Sequence, residues 1–461
     1  MMKSINKTKK APLIKYSIIL MGIIFLIVLF SYSQQESADT SATNSIDSPL
    51  LSVQMPRIKG IDNVLLYENN DNNIISINIT FKGGAALDSK GFEGLSNFLA
   101  ESMPLAAGGY SVAEFSRMFD EYSIKINTNV SRDAITLEIT TLNYYKNRAF
   151  NLLKLILNSP NLGNEEIALT KSNLTVDYNI RAKQPKFLVS QALRNQLFGG
   201  HEYFRDINGN PTVMSKITPK ILKDFKHTVI TKANMYVAIS GNISRAEVEK
   251  EFGTIVEGLP EGNREFLALD YVQPKLSNKV IEIPLEGASQ SEVLIAFNSP
   301  PFDSPTFPFA RLINTYMGQM PDSLLFDNLR NQKGLVYTVS SSLQQDSISN
   351  YWLVSLGTSL DNTVDAVEAV KQTIEDLKSQ KYDFKNIVIA KNWMLDNELR
   401  VFANNRSIAA YLNRQQFLGI PLSRNAEFAK LYNNMTADNI NQALLDINTD
   451  NMVIIKVVSK K

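Results

Sequence analysis

Leu329-Arg330-Asn331-Gln332-Lys333-Gly334-Leu335-Val336-Tyr337-Thr338-Val339-Ser340-Ser341-Ser342 reads as the last turn of a helix, a glycine break and a strand. Leu325, Phe326 and Leu329 recur at helical spacing before Gly334, and alternation follows it. Arg330 and Tyr337 therefore flank one sharp turn. A fixed cation and a phenol placed there can hold a carbonyl oxygen and the charge it develops, which is peptide chemistry. The plain alternative is a surface ion pair beside a strand residue that packs on the core.

The chain of 461 residues exceeds one ordinary domain and allows two. Forty-seven lysines and arginines nearly cancel 46 aspartates and glutamates, so no overall field favours nucleic acid. With no cysteine, disulfides, thiol nucleophiles and thiolate metal sites drop out together. Only His201 and His227 are present, too far apart for a helical pair of zinc ligands, and neither lies in a nucleophile-elbow pattern.

Residues 1–15 are basic, and residues 16–33 are uncharged and long enough for a short membrane anchor or the apolar region of a signal. The positive flank predicts an anchor in a bacterial inner membrane, with the bulk of the chain in the periplasm whether or not the segment is cut. Residues 34–50 are rich in Ser, Asp, Thr and Asn and read as a flexible tether.

Beyond the tether, residues 63–68 and 76–81 alternate as strands around a polar turn and predict a hairpin. Leu95, Phe98, Leu99 and Met103 mark one helix, and the capping box Ser111 to Glu114 opens another. The plan then recurs. Asn63-Val64 matches Lys279-Val280, and Phe81 matches Phe297, both 216 positions on; Thr141-Leu142 matches Ser359-Leu360 at 218. Ile217-Thr218-Pro219 matches Met435-Thr436-Ala437 at 218, each a threonine cap before a helix. Steady offsets predict an α+β fold of two tandem homologous units, residues 51–258 and 279–461, joined by a linker at 259–278.

The repeat, the strand and helix order and the Arg330 to Tyr337 turn together resemble the pitrilysin, insulinase and mitochondrial processing peptidase family. The resemblance covers nearly everything after about residue 50, and implies two α/β sandwich units that close like a clamshell on an extended peptide. It also implies that Arg330 and Tyr337 bind the substrate backbone and steady the tetrahedral intermediate. Catalytic members carry Gly-Leu-x-His-x-x-Glu-His in the first unit. Here the matching residues are Asn97, Ala100 and Glu101, with Asp177 in place of the distal glutamate ligand and Thr170 in place of that glutamate's outer partner. Ala100 stands where the general base belongs, so nothing there can deprotonate a metal-bound water. Oxygen donors from Asn97, Glu101 and Asp177 suit calcium or magnesium rather than tetrahedral zinc.

The resemblance implies a subunit with no catalytic residue and no cofactor of its own. A homologous partner would bear the zinc while this chain supplies Arg330 and Tyr337 to a peptide substrate. The alternative is a membrane-tethered peptide-binding scaffold without proteolysis. His201 lies in a segment similar to the family's Phe-x-x-His-Pro-Tyr and reads as structural, His227 as a surface helix residue, and the prolines from Pro300 to Pro308 as a stiff loop.

Overall fold

A computed structural model describes residues 52–460, except 200, 202, 204, 264–269, 347, 446, 448 and 449. The predicted membrane segment, 16–33, and its tether lie outside the described residues. Among the described residues no helix is long and apolar enough to cross a membrane.

Two sheets form the frame. The first runs β1 (Val53–Gln54), β2 (Val64–Glu68), β6 (Met235–Gly241), β3 (Ile74–Lys82), β5 (Ala134–Leu142) and β4 (Lys125–Val130). The second runs β7 (Lys279–Leu285), β11 (Val453–Ser459), β8 (Gln290–Phe297), β10 (Ser349–Ser359) and β9 (Val336–Asp346). The expected hairpin between β2 and β3 does not form. β6 lies between them, with Val237 parallel to Val64 and antiparallel to Ile79. The reason is burial: β6 presents a continuous buried run and needs a neighbour on each side. The Asn69 to Asn73 connection is long enough to step across an intervening strand, about 10 Å. In the second sheet β11 lies between β7 and β8 in the same manner.

The helices follow their caps. α1 (Leu95–Ser102) begins at Gly94, and α2 (Val112–Glu121) begins at the expected Ser111 and Glu114 box. α3 (Lys146–Asn158), α4 (Asn164–Arg181) and α5 (Pro185–Phe198) follow, and α6 (Pro219–Val229) starts from the Thr218 cap. In the second half α7 spans Phe307–Asn314, α8 spans Thr363–Lys378 and α9 spans Asn405–Phe417. Ile75, Ile77, Ile79 and Phe81 of β3 pack with Phe98, Phe115 and Phe150 in the core of the first half.

Helices on one face of each sheet do not complete the structure, because each half also lends a helix to the other's sheet. α5 places Val189, Leu193, Leu197 and Phe198 against Leu294 and Ala296 of β8 and Val453, Ile455 and Val457 of β11. Burial of such side chains is worth roughly 1.5–3 kcal/mol each. α9 crosses β3 and β6 of the first sheet mainly with polar side chains, beside an edge-on contact of Phe417 with Tyr236 at 5.4 Å. The Asn405 amide donates to the Ile74 carbonyl (2.7 Å) and to Asn72 (3.1 Å), and accepts from Ser240 (3.1 Å) and Asn69 (3.0 Å). Asn413 bonds Asn78 and Thr80, Gln416 donates to the Val237 carbonyl (2.7 Å), and Arg406 reaches Glu138 at 2.6 Å. Ser76, Asn78 and Thr80, the alternate positions of β3, are thus buried under α9 rather than facing water.

Candidate functional site

α1 is held at its start by a buried carboxylate. Gly94 takes a left-handed turn, φ 93°, and a β-carbon there would lie 2.5 Å from the backbone of Gly209. Asp88 accepts hydrogen bonds from the Gly94 N–H (2.7 Å), the Ser96 N–H (2.9 Å) and the Ser96 hydroxyl (2.6 Å). Burial nevertheless raises its pKa to about 7, against the pull of those donors and of Arg205.

Glu101 on α1 and Asp177 on α4, two of the positions expected to replace the zinc ligands, lie close enough to feel each other's charge. Asn97 is buried at 8% exposure and Ala100 is fully enclosed. Glu101 turns outward, one turn from Asn97, and accepts from Thr128 on β4 at 3.3 Å. Partial burial, which strips water from the carboxylate, raises its pKa; the Thr128 bond opposes this, and the nearby charge of Asp177 adds to it. Asp177 is already paired with Arg181 at 2.7 Å, and the guanidinium lies over the Phe187 ring. Thr170 hydrogen-bonds Ser102 at 3.0 Å and ties α4 to α1.

These residues do not fit zinc. The imidazoles are replaced by an amide and a carboxylate, and the positive charge that would balance Asp177 comes from Arg181. Among the described residues no group of three or more His, Cys, Asp or Glu gathers as a metal site. His201 lies far along the chain in its loop, where Nδ1 accepts from the Tyr203 N–H, and His227 is exposed in the last turn of α6.

The Arg330 to Tyr337 turn keeps its expected outline with one difference. The residues before Gly334 wind as a π-turn over Asp327–Gln332 instead of ending as an α-helix. Leu335 closes back onto the Leu329 carbonyl at 2.8 Å, Gly334 has φ 64°, and β9 begins at Val336. Arg330 is exposed and lies over the Phe326 ring at 5.4 Å; Tyr337 is 49% exposed. Neither the guanidinium nor the phenol is hydrogen-bonded to another described residue. This departs from the plain alternative of an ion pair and a core tyrosine, and leaves both donors available to a ligand.

A two-sheet α+β fold with a dismantled zinc motif in its first half and an exposed cation and phenol in its second defines a zinc-less peptidase-like protein. Residues 63–210 match the description "Insulinase (Peptidase family M16)" and residues 216–392 match "Peptidase M16 inactive domain". The chain belongs to the insulinase family, as a member lacking its zinc motif. It is 21% identical over 393 residues to the Helicobacter pylori "Non-peptidase homolog YmxG", covering 84% of this chain and 89% of that one. Against the Bacillus subtilis "Uncharacterized zinc protease YmxG" the identity is 20%, over 82% and 90%. Among solved structures, a peptidase M16 inactive domain from Pseudomonas fluorescens superimposes with a TM-score of 0.78 at 22% identity, covering 89% of this chain and 99% of that one. A protease from Helicobacter pylori gives 0.80 at 14% identity, over 88% and 99%.

Proposed function

We propose that this chain is the non-catalytic subunit of a two-chain zinc peptidase, in which a homologous partner binds the metal and this chain supplies Arg330 and Tyr337 to the peptide. The observation that carries the reading is the contrast between the two halves. At the zinc motif Ala100 stands in place of the base and Asp177 is paired with Arg181, whereas Arg330 and Tyr337 remain exposed and make no side-chain hydrogen bond to a described residue. In this arrangement Arg330 binds a backbone carbonyl and Tyr337 donates to the oxyanion as it forms. Residues 16–33 either tether the complex to the inner membrane or are cut to release it, with the folded part in the periplasm in both cases.

The test is kinetic. In a purified complex with the zinc-bearing chain, Arg330→Ala and Tyr337→Phe each lower kcat/KM for peptide cleavage by roughly 100-fold, the scale of losing one oxyanion donor. An unaltered rate would sink the proposal. A second reading, a membrane-tethered peptide-binding scaffold, is favoured by the "non-peptidase" name of the Helicobacter relative. Peptide binding without cleavage in any co-purified assembly would select it.

A further inference from the structure

Three guanidinium groups gather along one flank of α5. Arg181 of α4 lies over the Phe187 ring at 5.3 Å, and Arg194 stands two turns further on the same face of α5, about 10 Å along the axis. One turn beyond it the Phe198 ring meets Tyr203 at 5.8 Å, and Arg132, from the turn between β4 and β5, lies over that same tyrosine at 5.4 Å. Arg194 therefore sits between two anchored arginines and feels the charge of both.

The outer pair is fixed through inner nitrogens. Arg181 Nε bonds Asp177 at 2.7 Å, and Arg132 Nε donates to the Tyr203 carbonyl at 2.7 Å. Arg194 has no such tie. It makes no hydrogen bond or ion pair among the described residues: its Nε is enclosed and unmet, while its two terminal nitrogens are open to solvent. Asp206 is near enough to be felt but is not paired with it, and accepts instead from the Asn208 N–H at 3.1 Å. Asp133, beside Arg132, accepts from the Tyr203 hydroxyl at 3.0 Å. Burial lowers the pKa of Arg194, the Arg132 and Arg181 charges add to this, and Asp206 and Tyr351 oppose it. A half-buried cation held among cations without a partner costs stability, and an arriving anion recovers it.

We infer that Arg194, flanked by Arg132 and Arg181, is a subsite for a carboxylate of the bound peptide, its two terminal nitrogens meeting the two oxygens side by side. The inference rests on the peptide-binding reading above for the class of ligand, and adds a feature that the peptide must carry. Asp177, which holds Arg181, occupies the position of the distal metal ligand, so the subsite adjoins the dismantled zinc motif. It uses neither Arg330 nor Tyr337. The carboxylate is either the end of the peptide or an acidic side chain within it.

Fluorescence anisotropy of the full chain compares three labelled nonapeptides of one Gly/Ser/Leu background. The first has a central Gln and an amidated end, the second a central Glu and an amidated end, and the third a central Gln and a free end. At least one carboxylate peptide binds about tenfold more tightly than the neutral one, the scale of a charged hydrogen bond, and the one that gains identifies the source. Arg194→Gln brings both carboxylate peptides down to the neutral one. Asp206→Asn, which removes the competing acid and keeps an acceptor for Asn208, enlarges the gain about threefold, as for a partly exposed charge. Arg117→Gln, at an exposed site on α2, removes the same unit of charge and leaves the gain as it is. Thermal melts check folding, and should Arg194→Gln fail to fold, Asp206→Asn decides. Equal affinity for all three peptides, a gain kept by folded Arg194→Gln, a gain lost in Arg117→Gln or a gain unmoved by Asp206→Asn would overturn the inference and leave peptide binding standing. No binding of any of the three overturns both.

Discussion

Asp177 shows at the scale of one residue why this chain differs from a zinc enzyme. The carboxylate that the resemblance sets at the distal metal position instead meets Arg181, and burial raises the pKa of the neighbouring Glu101. Zinc added to the isolated chain is therefore expected to leave its melting temperature unchanged, because a ligand stabilises only the state it binds. Stoichiometric retained zinc with a raised melting temperature contradicts this. Asp88, at the start of the same helix, has the opposite interest, since it is buried yet titrates near neutrality. Its folded pKa of about 7 lies above the ordinary 3.8. Between those values the folded chain binds more protons than the unfolded one. This group's contribution to stability is therefore full below the ordinary value and declines as pH rises toward the folded one, by about 1.4 kcal/mol for each pH unit crossed. Asp88→Asn removes that dependence. Urea midpoints at pH 5 and pH 7.5 check it: the variant gains on the parent protein as pH rises, and parallel profiles refute the assignment.

The two exchanged helices differ in what holds them, and that difference is measurable element by element. α5 is bound by apolar side chains, so Leu193→Ala is expected to cost about 2–5 kcal/mol. α9 is bound through amides, and Asn405→Ala leaves the Asn69 amide and the Ser240 hydroxyl unmet at about 1–3 kcal/mol. Urea unfolding of the two variants gives both numbers. Neither exchange was legible in the sequence, for a physical reason. Alternation of Ile75, Ile77 and Ile79 with Ser76, Asn78 and Thr80 marks β3 correctly, but the same pattern arises whether the polar face meets water or an amide-bearing helix from 330 residues away. The missed hairpin has the same origin, because the strand that separates β2 from β3 arrives more than 150 residues later. Local signals fared better: the Ser111 box and the Thr218 cap depend on neighbours three residues off and appear where their spacing put them. Gly334 marked the turn between Arg330 and Tyr337, though not the π winding before it.

For the whole folded region, reciprocal lending means that neither half has a complete interior by itself. Residues 52–258 alone would present the apolar face of α5, with Leu193, Leu197 and Phe198, to solvent, and would leave the Ser76, Asn78 and Thr80 face of the first sheet without its amide partners. Residues 279–461 alone would expose Leu294, Val453 and Ile455 on an uncovered sheet. Patches of this kind drive association in water, so each half expressed separately is expected to aggregate or to bind a hydrophobic dye. Produced together, the two should find one another, because the buried apolar contact between α5 and the second sheet requires no covalent link through residues 259–278. Co-expression as two chains cut within 264–269 is therefore predicted to give a soluble one-to-one complex, visible by size-exclusion chromatography. Its assembly depends on the apolar exchange more than on the polar one: Leu193→Asp prevents it, whereas Asn405→Ala weakens it. Soluble, monomeric halves that ignore one another would show instead that each sheet closes its own core.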